Sequence, residues 1–358
     1  MRERLRFGII GAGVIGPTHA AAIVSLPDAV VAAVCDPIAE RARTLASQYG
    51  AAAYDDPQAM LQRESLDVVC VCTPSGEHGA HAARAMRAGC HVVVEKPLEI
   101  TVERIDDLLG VQRETGRKLA VISQHRFDQA SVRVQGLVRD GALGMLVLGN
   151  ALVPWWRTQG YYDSGAWRGT WALDGGGVLM NQSIHSIDLL QWLMGPVRSL
   201  HAYTGTLAHR METEDVAVAV LRFESGALGT IAATTGAYPG TGTRIEVFGD
   251  RGSAVIEADA LGYLHLAGDD EGVGSHRTPH IEGEALGSAL GEDATAPGTA
   301  SDPAALSHNT HALQIADLIR AIRKDGTPLV DGLAGRHPVA IIRGIYEAAR
   351  TGKEVFLS

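Results

Sequence analysis

Residues 5 to 123 alternate short apolar runs with stretches of helical length, and this alternation constrains the fold more than any other feature. Each run is too short for a helix and rich in β-branched residues, so we expect buried strands. Strands that alternate with helices form βαβ units, in which helices cover both faces of a parallel sheet. The predicted strands are Leu5–Ile10, Val30–Cys35, Ala51–Tyr54, Leu66–Cys72, Cys90–Val94 and Leu119–Ile122, and the predicted helices include Ile38–Tyr49, Gly79–Ala88 and Val102–Thr115.

The pattern changes after Gln124, where strand-like runs follow one another through short connections typical of hairpins. We therefore predict two domains, a doubly wound α/β domain over 1–124 and an α+β domain over 125–358 with an open, mostly antiparallel sheet. A polar, Gly- and Ala-rich surface excursion is expected over 268–306. The predicted strands are Met145–Val153, Arg198–Leu207, Val216–Phe223, Ala227–Ala233, Arg244–Phe248 and Ala254–Glu257, and the predicted helices are Gln129–Arg139, Gly177–Met194, His308–Lys324 and Arg336–Thr351.

Composition excludes several classes of protein. A net charge of −10 argues against a nucleic-acid partner, because such binding needs clustered Lys and Arg. No apolar run is long enough to span a membrane, and the N-terminus passes directly into a strand, leaving no room for a signal peptide. The four cysteines fall in or beside core strands, where buried free thiols are expected rather than metal ligands or disulfides. We therefore expect a cytoplasmic protein.

The segment Gly11 to Gly16, with the pattern G-x-G-x-x-G, follows the first strand and opens the first helix. In that context the first glycine makes the turn, the second admits a pyrophosphate and the third lets the helix pack on the sheet. Asp36 ends the second strand, where an acid hydrogen-bonds the ribose of NAD and repels the extra phosphate of NADP. The pair Asp36-Pro37 also suits a helix N-cap followed by proline, and both roles are compatible. The sequence predicts NAD as the cofactor.

Lys96 follows an apolar strand that Pro97 must end, because proline has no N–H for the ladder. It therefore lies at the carboxyl end of a parallel strand, where ligands bind in open α/β sheets. A lysine reaching solvent from a strand end is the plainer interpretation. Thr73, Pro74 and His78 follow the preceding strand at the same edge; Thr73 could bond a cofactor ribose, and His78 could equally be exposed in a first helical turn.

Three glycines, Gly175 to Gly177, open a predicted helix on which Asn181, His185 and Asp188 share one stripe. A polar stripe is usually a solvated face, but an amide, an imidazole and a carboxylate are more typical of a site. Upstream, residues 154–171 contain four of the five tryptophans, together with Arg157 and Arg168. These aromatic side chains suit the C–H faces of a sugar and the arginines suit a carboxylate or phosphate, although subunit contacts are also rich in Trp, Tyr and Arg.

The combination of G-x-G-x-x-G, E-K-P at 95–97 and G-G-G followed by His185 resembles the Gfo/Idh/MocA family, over nearly the whole chain. The resemblance implies a Rossmann domain, a second sheet domain and hydride transfer between a nicotinamide and a sugar or polyol carbon. It implies that Lys96 and His185 handle the proton. Many members have Asp where this chain has Asn181, so which residue is the base stays open.

The expected site residues fall into three groups. We expect catalytic roles for Lys96, His185 and Asn181. We expect the cofactor to be bound by Gly11, Gly13, Val14, Ile15, Gly16, Asp36, Thr73, Pro74, His78, Glu95 and Lys96. We expect the substrate to be bound by Arg126, Trp156, Arg157, Trp167, Arg168, Asn181 and His185, and no metal to take part.

Three functions compete. The first is an NAD-dependent sugar or polyol dehydrogenase, the second an enzyme of the same fold that uses NAD transiently to cleave a glycosidic bond, and the third a non-catalytic nucleotide-sensing regulator. Retention of Lys96 and His185 argues against the regulator. A homodimer or homotetramer is expected, because alternating apolar residues such as Val216, Val218 and Val220 could cover a sheet face against a second subunit. The expected small-molecule partner is a carbohydrate.

Overall fold

The computed structural model describes residues 4–268 and 308–357. The chain divides into two compact units. The first comprises residues 1–124, 162–184 and 306–340, and the second comprises 125–161, 185–305 and 341–358. The predicted break after Gln124 coincides with a unit boundary, but two later segments join the first unit instead of the second. The segment 306–340 joins the first unit because the helix His308–Lys324 packs on the helix Gly16–Val24, and the segment 162–184 contacts it through the hydrogen bond from Lys96 to the Asn181 carbonyl.

The first unit contains a six-stranded parallel sheet in the order β3-β2-β1-β4-β5-β6, as the alternating pattern predicts. The strand order reverses between β1 and β4, and ligands bind at such a switch point in doubly wound folds. The strands are β1 Leu5–Ile10, β2 Ala29–Cys35, β3 Ala52–Tyr54, β4 Val68–Val71, β5 His91–Val94 and β6 Leu119–Val121. The helices are α1 Gly16–Val24, α2 Ala39–Tyr49, α3 Pro57–Arg63, α4 His78–Arg87, α5 Val102–Thr115 and α9 His308–Lys324, with α10 Gly332–Thr351 beginning here.

The second unit contains an eight-stranded sheet in the order β13-β12-β11-β7-β10-β9-β8-β14. Only β7 and β10 pair in parallel, so the sheet is mostly antiparallel, as expected. The strands are β7 Leu146–Pro154, β8 Val197–Gly205, β9 Val216–Phe223, β10 Leu228–Thr234, β11 Arg244–Gly249, β12 Gly252–Glu257, β13 Ala260–Leu266 and β14 Val355–Phe356. The remaining helices are α6 Gln129–Arg139, α7 Gln159–Asp163 and α8 Ile184–Met194.

The predicted helix Gly177–Met194 is interrupted. Val178–Ser183 forms a π-helical segment, and the α-helix begins only at Ile184. A π-helical segment shifts the angular position of everything that follows, so the predicted stripe of Asn181, His185 and Asp188 is not a regular helical face. The short helix α7 and the strands β13 and β14 were not predicted. The polar excursion predicted over 268–306 lies outside the described residues beyond Gly268.

All four cysteines are buried free thiols, which confirms the expectation for them. Burial raises the pKa of Cys35 to about 12 and that of Cys90 to about 11, so both stay protonated. In the described part of the chain, we find no helix that combines the length and apolar character required to cross a bilayer.

Candidate active site

The glycine-rich turn after β1 leaves room for a ligand on one side only. Gly11 has φ +101°, and a Cβ there would lie 2.4 Å from the Cys72 carbonyl oxygen, so only glycine fits. A Cβ on Gly16 would likewise meet backbone, whereas a Cβ on Gly13 would meet nothing within 4 Å. The nearby Thr73 hydroxyl oxygen is buried and has no hydrogen-bond partner in the described part of the chain. An open backbone and an orphaned hydroxyl together fit a bound dinucleotide.

Asp36 is buried at the end of β2 and holds the glycine-rich turn in place. Its carboxylate accepts hydrogen bonds from the backbone N–H of Ala12 at 2.8 Å and of Ile38 at 2.9 Å. Helix α2 begins at Ala39 after Ile38, so the predicted N-cap role of Asp36 is wrong; the Ile38 bond closes a turn before the helix instead. Val14, in the same turn, is 69% exposed, which is unusual for a valine and leaves it available to a ligand.

His78 is buried, and the interpretation of it as an exposed helix residue is wrong. Its Nδ1 lies 2.6 Å from the Pro97 carbonyl oxygen and its Nε2 lies 2.9 Å from the Thr73 carbonyl oxygen. Burial lowers the pKa of His78, and the two carbonyl contacts offset this only in part. The ring therefore ties the loop after β4, which includes Pro74, to the segment after β5.

Lys96 directly follows β5, at the carboxyl end of the parallel sheet. Its Nζ donates a hydrogen bond to the backbone carbonyl of Asn181 at 2.7 Å, so these two predicted catalytic residues are in contact. The carbonyl belongs to the π-helical segment, where the wider turn alters the usual pairing of backbone groups. The lysine is therefore oriented by the backbone and does not simply extend into solvent.

Asp174, which the sequence analysis missed, supplies a carboxylate beside this pair. Its Oδ1 accepts a hydrogen bond from Asn181 Nδ2 at 2.8 Å, and its Oδ2 accepts one from the Gly169 N–H at 2.9 Å. Burial raises the pKa of Asp174 to about 6, against the opposing effects of these bonds and of the Lys96 charge. In the sequence, the only feature that could have marked Asp174 as a site residue is its position directly before Gly175 to Gly177. A carboxyl group that titrates near neutrality beside a lysine is typical of acid–base sites.

His185 lies in the second unit, where its ring packs edge-on against His125 with centroids 5.2 Å apart. His125 was also missed, although it directly follows a predicted strand and its connection. Its Nδ1 lies 2.7 Å from Asp128 and 3.3 Å from Asp259. Burial alone would lower the pKa of His125, but these carboxylates outweigh it and raise the pKa. His185 therefore packs against an imidazole that is held toward its charged form.

Arg126, predicted to bind substrate, is occupied within the protein. It forms a two-point ion pair with Asp188, at 2.7 and 2.5 Å, and its guanidinium stacks on Trp192. Both charged side chains are buried. This pairing compensates the charge of Asp188, which is buried in the helix α8. It gives Arg126 a structural role in the second unit.

Several aromatic and arginine side chains of residues 154–171 pack against other side chains of the protein. In the second unit, Arg157 is buried between the rings of Trp155 and Tyr161, and Trp156 packs edge-on against Tyr238. In the first unit, the Arg168 guanidinium stacks on Trp167 at 4.6 Å, and both are partly buried. The structure thus divides the predicted substrate-binding residues between the two units.

Comparison with known proteins assigns both parts of the chain. Residues 5–123 match the profile described as "Oxidoreductase family, NAD-binding Rossmann fold", and residues 131–255 match the GFO/IDH/MocA C-terminal domain. The chain is 30% identical over 273 residues to an inositol 2-dehydrogenase of Rhizobium meliloti, covering 74% of this chain and 79% of that protein.

Two further proteins are similar. A D-glucoside 3-dehydrogenase of Escherichia coli is 36% identical over 210 residues, which is 56% of this chain and 57% of that protein. Among solved structures, the WlbA dehydrogenase of Bordetella pertussis, in complex with NADH and UDP-GlcNAcA, superposes with a TM-score of 0.84, at 31% identity and 99% coverage of both chains. These matches confirm the fold, the NAD-binding domain and the resemblance drawn from the three motifs. The chain belongs to the Gfo/Idh/MocA family of oxidoreductases with an NAD-binding Rossmann fold.

Proposed function

We propose that this protein oxidises a hydroxyl-bearing carbon of a sugar, sugar derivative or polyol, with NAD as the hydride acceptor. The observation that carries the proposal is Lys96, held by the Asn181 carbonyl at the carboxyl end of β5 and close enough to Asp174 to influence its ionisation. Its relatives are named as sugar and inositol dehydrogenases. The chain thus combines a dinucleotide-binding turn with an acid–base group at the same edge of the sheet.

When bound, NAD supplies the nicotinamide carbon that accepts a hydride. Gly13 and the buried Thr73 hydroxyl are the features that support binding of the dinucleotide in the first unit. Lys96 then takes the hydroxyl proton as the carbon is oxidised. Asp174, when ionised, offsets the positive charge of the lysine and orients the Asn181 amide. Acid–base groups of this kind contribute a rate factor of about 10²–10⁴.

His185 is proposed as a second proton-handling residue on the strength of the family motif. For recognition of the substrate, Trp156 and Trp167 are proposed to contact the sugar ring, and Arg157 and Arg168 to bind an anionic group. The flat, polarised face of an aromatic ring suits the C–H groups of a sugar. Arg157 supports the anionic assignment, because its guanidinium is already fixed by two aromatic rings.

The first substrates to test are nucleotide-linked uronic sugars. The WlbA dehydrogenase complex contains UDP-GlcNAcA and is similar over nearly the full length of this chain. A carboxylate or diphosphate on the substrate is a suitable partner for an arginine whose guanidinium lies over aromatic rings. Neutral sugars and inositols form the comparison group, because the chain is also similar to a D-glucoside 3-dehydrogenase and an inositol 2-dehydrogenase.

We also propose a cytoplasmic homo-oligomer. Four buried free thiols suit a reducing compartment. On the sheet of the second unit, β9 alternates buried residues with exposed valines, and neighbouring strands add further exposed apolar side chains to that face. The exposed set, here called the open sheet face, is Leu148, Tyr203, Val218, Val220 and Leu228. A second copy of the chain is the proposed cover.

The test is to incubate the protein with NAD and a panel of UDP-linked uronates, free sugars, uronates and inositols while following NADH absorbance. The matched control is Lys96→Met, which keeps the length and apolar stem of the side chain but removes the amine. We expect turnover with at least one class, a loss of kcat of about 10²–10⁴ in the variant and little change in NADH affinity. Lys118→Met, at a surface ion pair with Asp325, should behave as the wild type.

Two outcomes contradict the proposal. Conversion of a glycoside without net NADH would support the glycoside-cleaving alternative. Binding of NADH without turnover of any carbohydrate would support a nucleotide-sensing role. Near-normal turnover by Lys96→Met would remove the lysine from the mechanism while leaving the dehydrogenase activity in place.

A further inference from the structure

Three buried polar side chains meet directly behind Lys96, and neither the family motifs nor the proposed function explains them. His19 Nε2 lies 2.8 Å from Glu95 Oε1, and His311 Nε2 lies 3.6 Å from the same oxygen. The two imidazole rings meet edge to face with centroids 5.4 Å apart. His19 comes from α1, Glu95 from the end of β5 and His311 from α9, and none is more than 6% exposed. We call these three residues the buried triad.

The positions of the ring nitrogens define the protonation state of the triad. The Nδ1 atoms of His19 and His311 are both buried, and neither has a hydrogen-bond partner among the residues that the structure describes. A proton on either Nδ1 would be an orphaned buried donor, which is costly, whereas a proton on Nε2 points at the Glu95 carboxylate. The geometry therefore favours a proton on Nε2 of each ring.

The charge of the triad lies on Glu95. Burial lowers the pKa of His19, and its hydrogen bond to Glu95 offsets this only in part. Burial also opposes ionisation of Glu95, but the hydrogen bond with His19 and the nearby His311 ring outweigh it and hold the pKa of Glu95 well below its ordinary value. The buried carboxylate therefore keeps its negative charge next to Lys96.

The second oxygen of the carboxylate reaches the lysine backbone. Glu95 Oε2 accepts a hydrogen bond from the Lys96 backbone N–H at 3.1 Å, while Lys96 Nζ is held at its far end by the Asn181 carbonyl. The lysine is thus fixed at both ends, at its backbone by the triad and at its amine by the π-helical segment. Helix α1, which carries the glycine-rich turn, takes part through His19.

We propose that the buried triad is a positioning device for Lys96, in which the His19 hydrogen bond and the adjacent His311 ring hold the Glu95 carboxylate. The carboxylate then fixes the lysine backbone and stabilises the ammonium that forms when the amine takes the hydroxyl proton. This proposal rests on the proposed function of Lys96. The role of His19 and His311 is indirect, since both act through Glu95. A misplacement of about 1 Å at a reacting group costs up to about 10²-fold in rate, so loss of the triad should lower turnover strongly.

A metal ion is the alternative occupant, since two imidazoles and a carboxylate form a possible ligand set. Metal-bound histidines almost always donate their other ring N–H to an acceptor. Within residues 4–268 and 308–357, neither Nδ1 of the two histidines has such an acceptor. The 2.8 Å separation of His19 Nε2 and Glu95 Oε1 is also that of a hydrogen bond. The chemistry of the donor set therefore favours the triad without a metal.

Other titratable groups must be considered when the charge of the triad is tested. Burial raises the pKa of the nearby thiols, so they remain neutral near Glu95. The titratable groups that influence Glu95 or Lys96, besides the triad histidines, are Cys70, Cys72, His78 and Asp174. Of these, Asp174 titrates near pH 6 and is kept unchanged in every variant of the test.

The kinetic test compares His311→Gln, His311→Leu and Glu95→Gln. Glutamine can place an N–H where His311 Nε2 lies, and leucine cannot. We expect His311→Gln to keep kcat within about fivefold of the wild type, and His311→Leu and Glu95→Gln to lower it by about 10–10² with NADH affinity preserved. The matched control is His91→Gln, at the opposite end of β5, which should leave kcat unchanged. Equal losses in both His311 variants, or a Glu95→Gln variant within twofold of the wild type, would overturn the proposal.

The second test does not depend on activity. Trace labelling of Lys96 with acetic anhydride across a pH series, read by peptide mass spectrometry, reports the pKa of its amine in the folded protein. In Glu95→Gln the pKa should fall relative to the wild type, because a neighbouring negative charge is removed. An unchanged pKa would overturn the charge argument even if no substrate were found. If only the proposed function is wrong, no carbohydrate is turned over, but the pKa of Lys96 still falls in Glu95→Gln.

Nitrogen NMR of the histidines completes the test. Burial lowers the pKa of His19, so its signals at pH 7 should be those of a neutral ring protonated on Nε2. Imidazolium signals, or stoichiometric zinc, iron or manganese that is lost in Glu95→Gln, would overturn the triad as described and replace it with a charged pair or a metal site.

Discussion

Asn181 Nδ2 and Asp174 Oδ1 lie 2.8 Å apart, so the amide donates to a buried carboxylate seven residues before it in the chain. Many members of the family have Asp where this chain has Asn181. In this chain the carboxylate belongs to Asp174, which accepts a hydrogen bond from the Asn181 amide. The proposed acid–base group of this site is therefore a lysine whose amine contacts the backbone of an amide residue that is itself paired with a carboxylate.

The Asp174 carboxyl should govern the acidic limb of the pH–rate profile. Burial raises its pKa to about 6, so it is protonated below that pH and loses the charge that offsets Lys96. We expect kcat/KM of the wild type to fall below about pH 6. In Asp174→Asn that limb should be absent and the plateau lower. Persistence of the same limb in the variant would assign it to another group, with His185→Ala as the next variant to measure.

Cofactor preference should follow Asp36. Its carboxylate is fixed by the N–H groups of Ala12 and Ile38, so it cannot swing away from the 2′-phosphate of NADP. Opposed like charges cost several kcal/mol, which corresponds to about 10²-fold or more in kcat/KM in favour of NAD. Asp36→Asn should reduce this ratio mainly by improving NADP. Equal efficiency of the wild type with both cofactors would contradict the assignment, and the melting temperature of the variant controls for the lost turn.

The sequence predicted the first sheet closely because its strands are short, apolar and separated by regular helices; β1, for example, has the predicted bounds Leu5–Ile10. It also predicted Lys96 at a strand end, since Pro97 must stop the ladder. It did not predict the π-helical segment, because Val178–Ser183 carries no residue that forbids an α-helix. Contacts such as Arg126 with Asp188, 62 residues apart, depend on tertiary packing that local patterns do not encode.

The Arg126–Asp188 pair should matter for stability more than for substrate binding. Both charges are buried, so removing one leaves the other without a partner, at a cost of about 3–5 kcal/mol in the free energy of unfolding. Arg126→Met should lose that much in urea denaturation, and Arg126→Met combined with Asp188→Leu should recover part of it. A stable Arg126→Met variant with a raised KM would instead return Arg126 to the substrate-binding group.

The open sheet face should be covered in solution. Val218 and Val220 are 49% and 55% exposed in the single chain, although the alternate residues of β9 are buried. Val218→Glu should shift the protein toward monomer in sedimentation at micromolar concentration, because a charge would be buried in the contact. Val24→Glu, at a 46% exposed valine of the first unit, is the matched control. A wild type that sediments as a monomer contradicts the prediction directly.

The Asn181→Asp variant helps to identify whether His185 or a carboxylate sets the acidic limb of the pH–rate profile. From the sequence alone, a carboxylate at 181 is expected to raise the pKa of His185 and move the acidic limb upward. The structure adds a second cause, because the new carboxylate would lie about as close to Asp174 as the present 2.8 Å contact. Two carboxylates at that distance share one proton, so one of their pKa values rises strongly.

Both causes move the limb above about pH 6, and a double variant distinguishes them. Combining Asn181→Asp with Asp174→Asn restores one amide and one carboxylate with their positions exchanged. If the shared proton is the cause, the limb returns to within about half a pH unit of the wild type. If His185 is the titrating base, the limb stays high, since a carboxylate remains at 181. If Asn181→Asp leaves the limb unshifted, His185 is not the titrating base. If His185→Ala also keeps most of the activity, Lys96 is left as the sole proton acceptor.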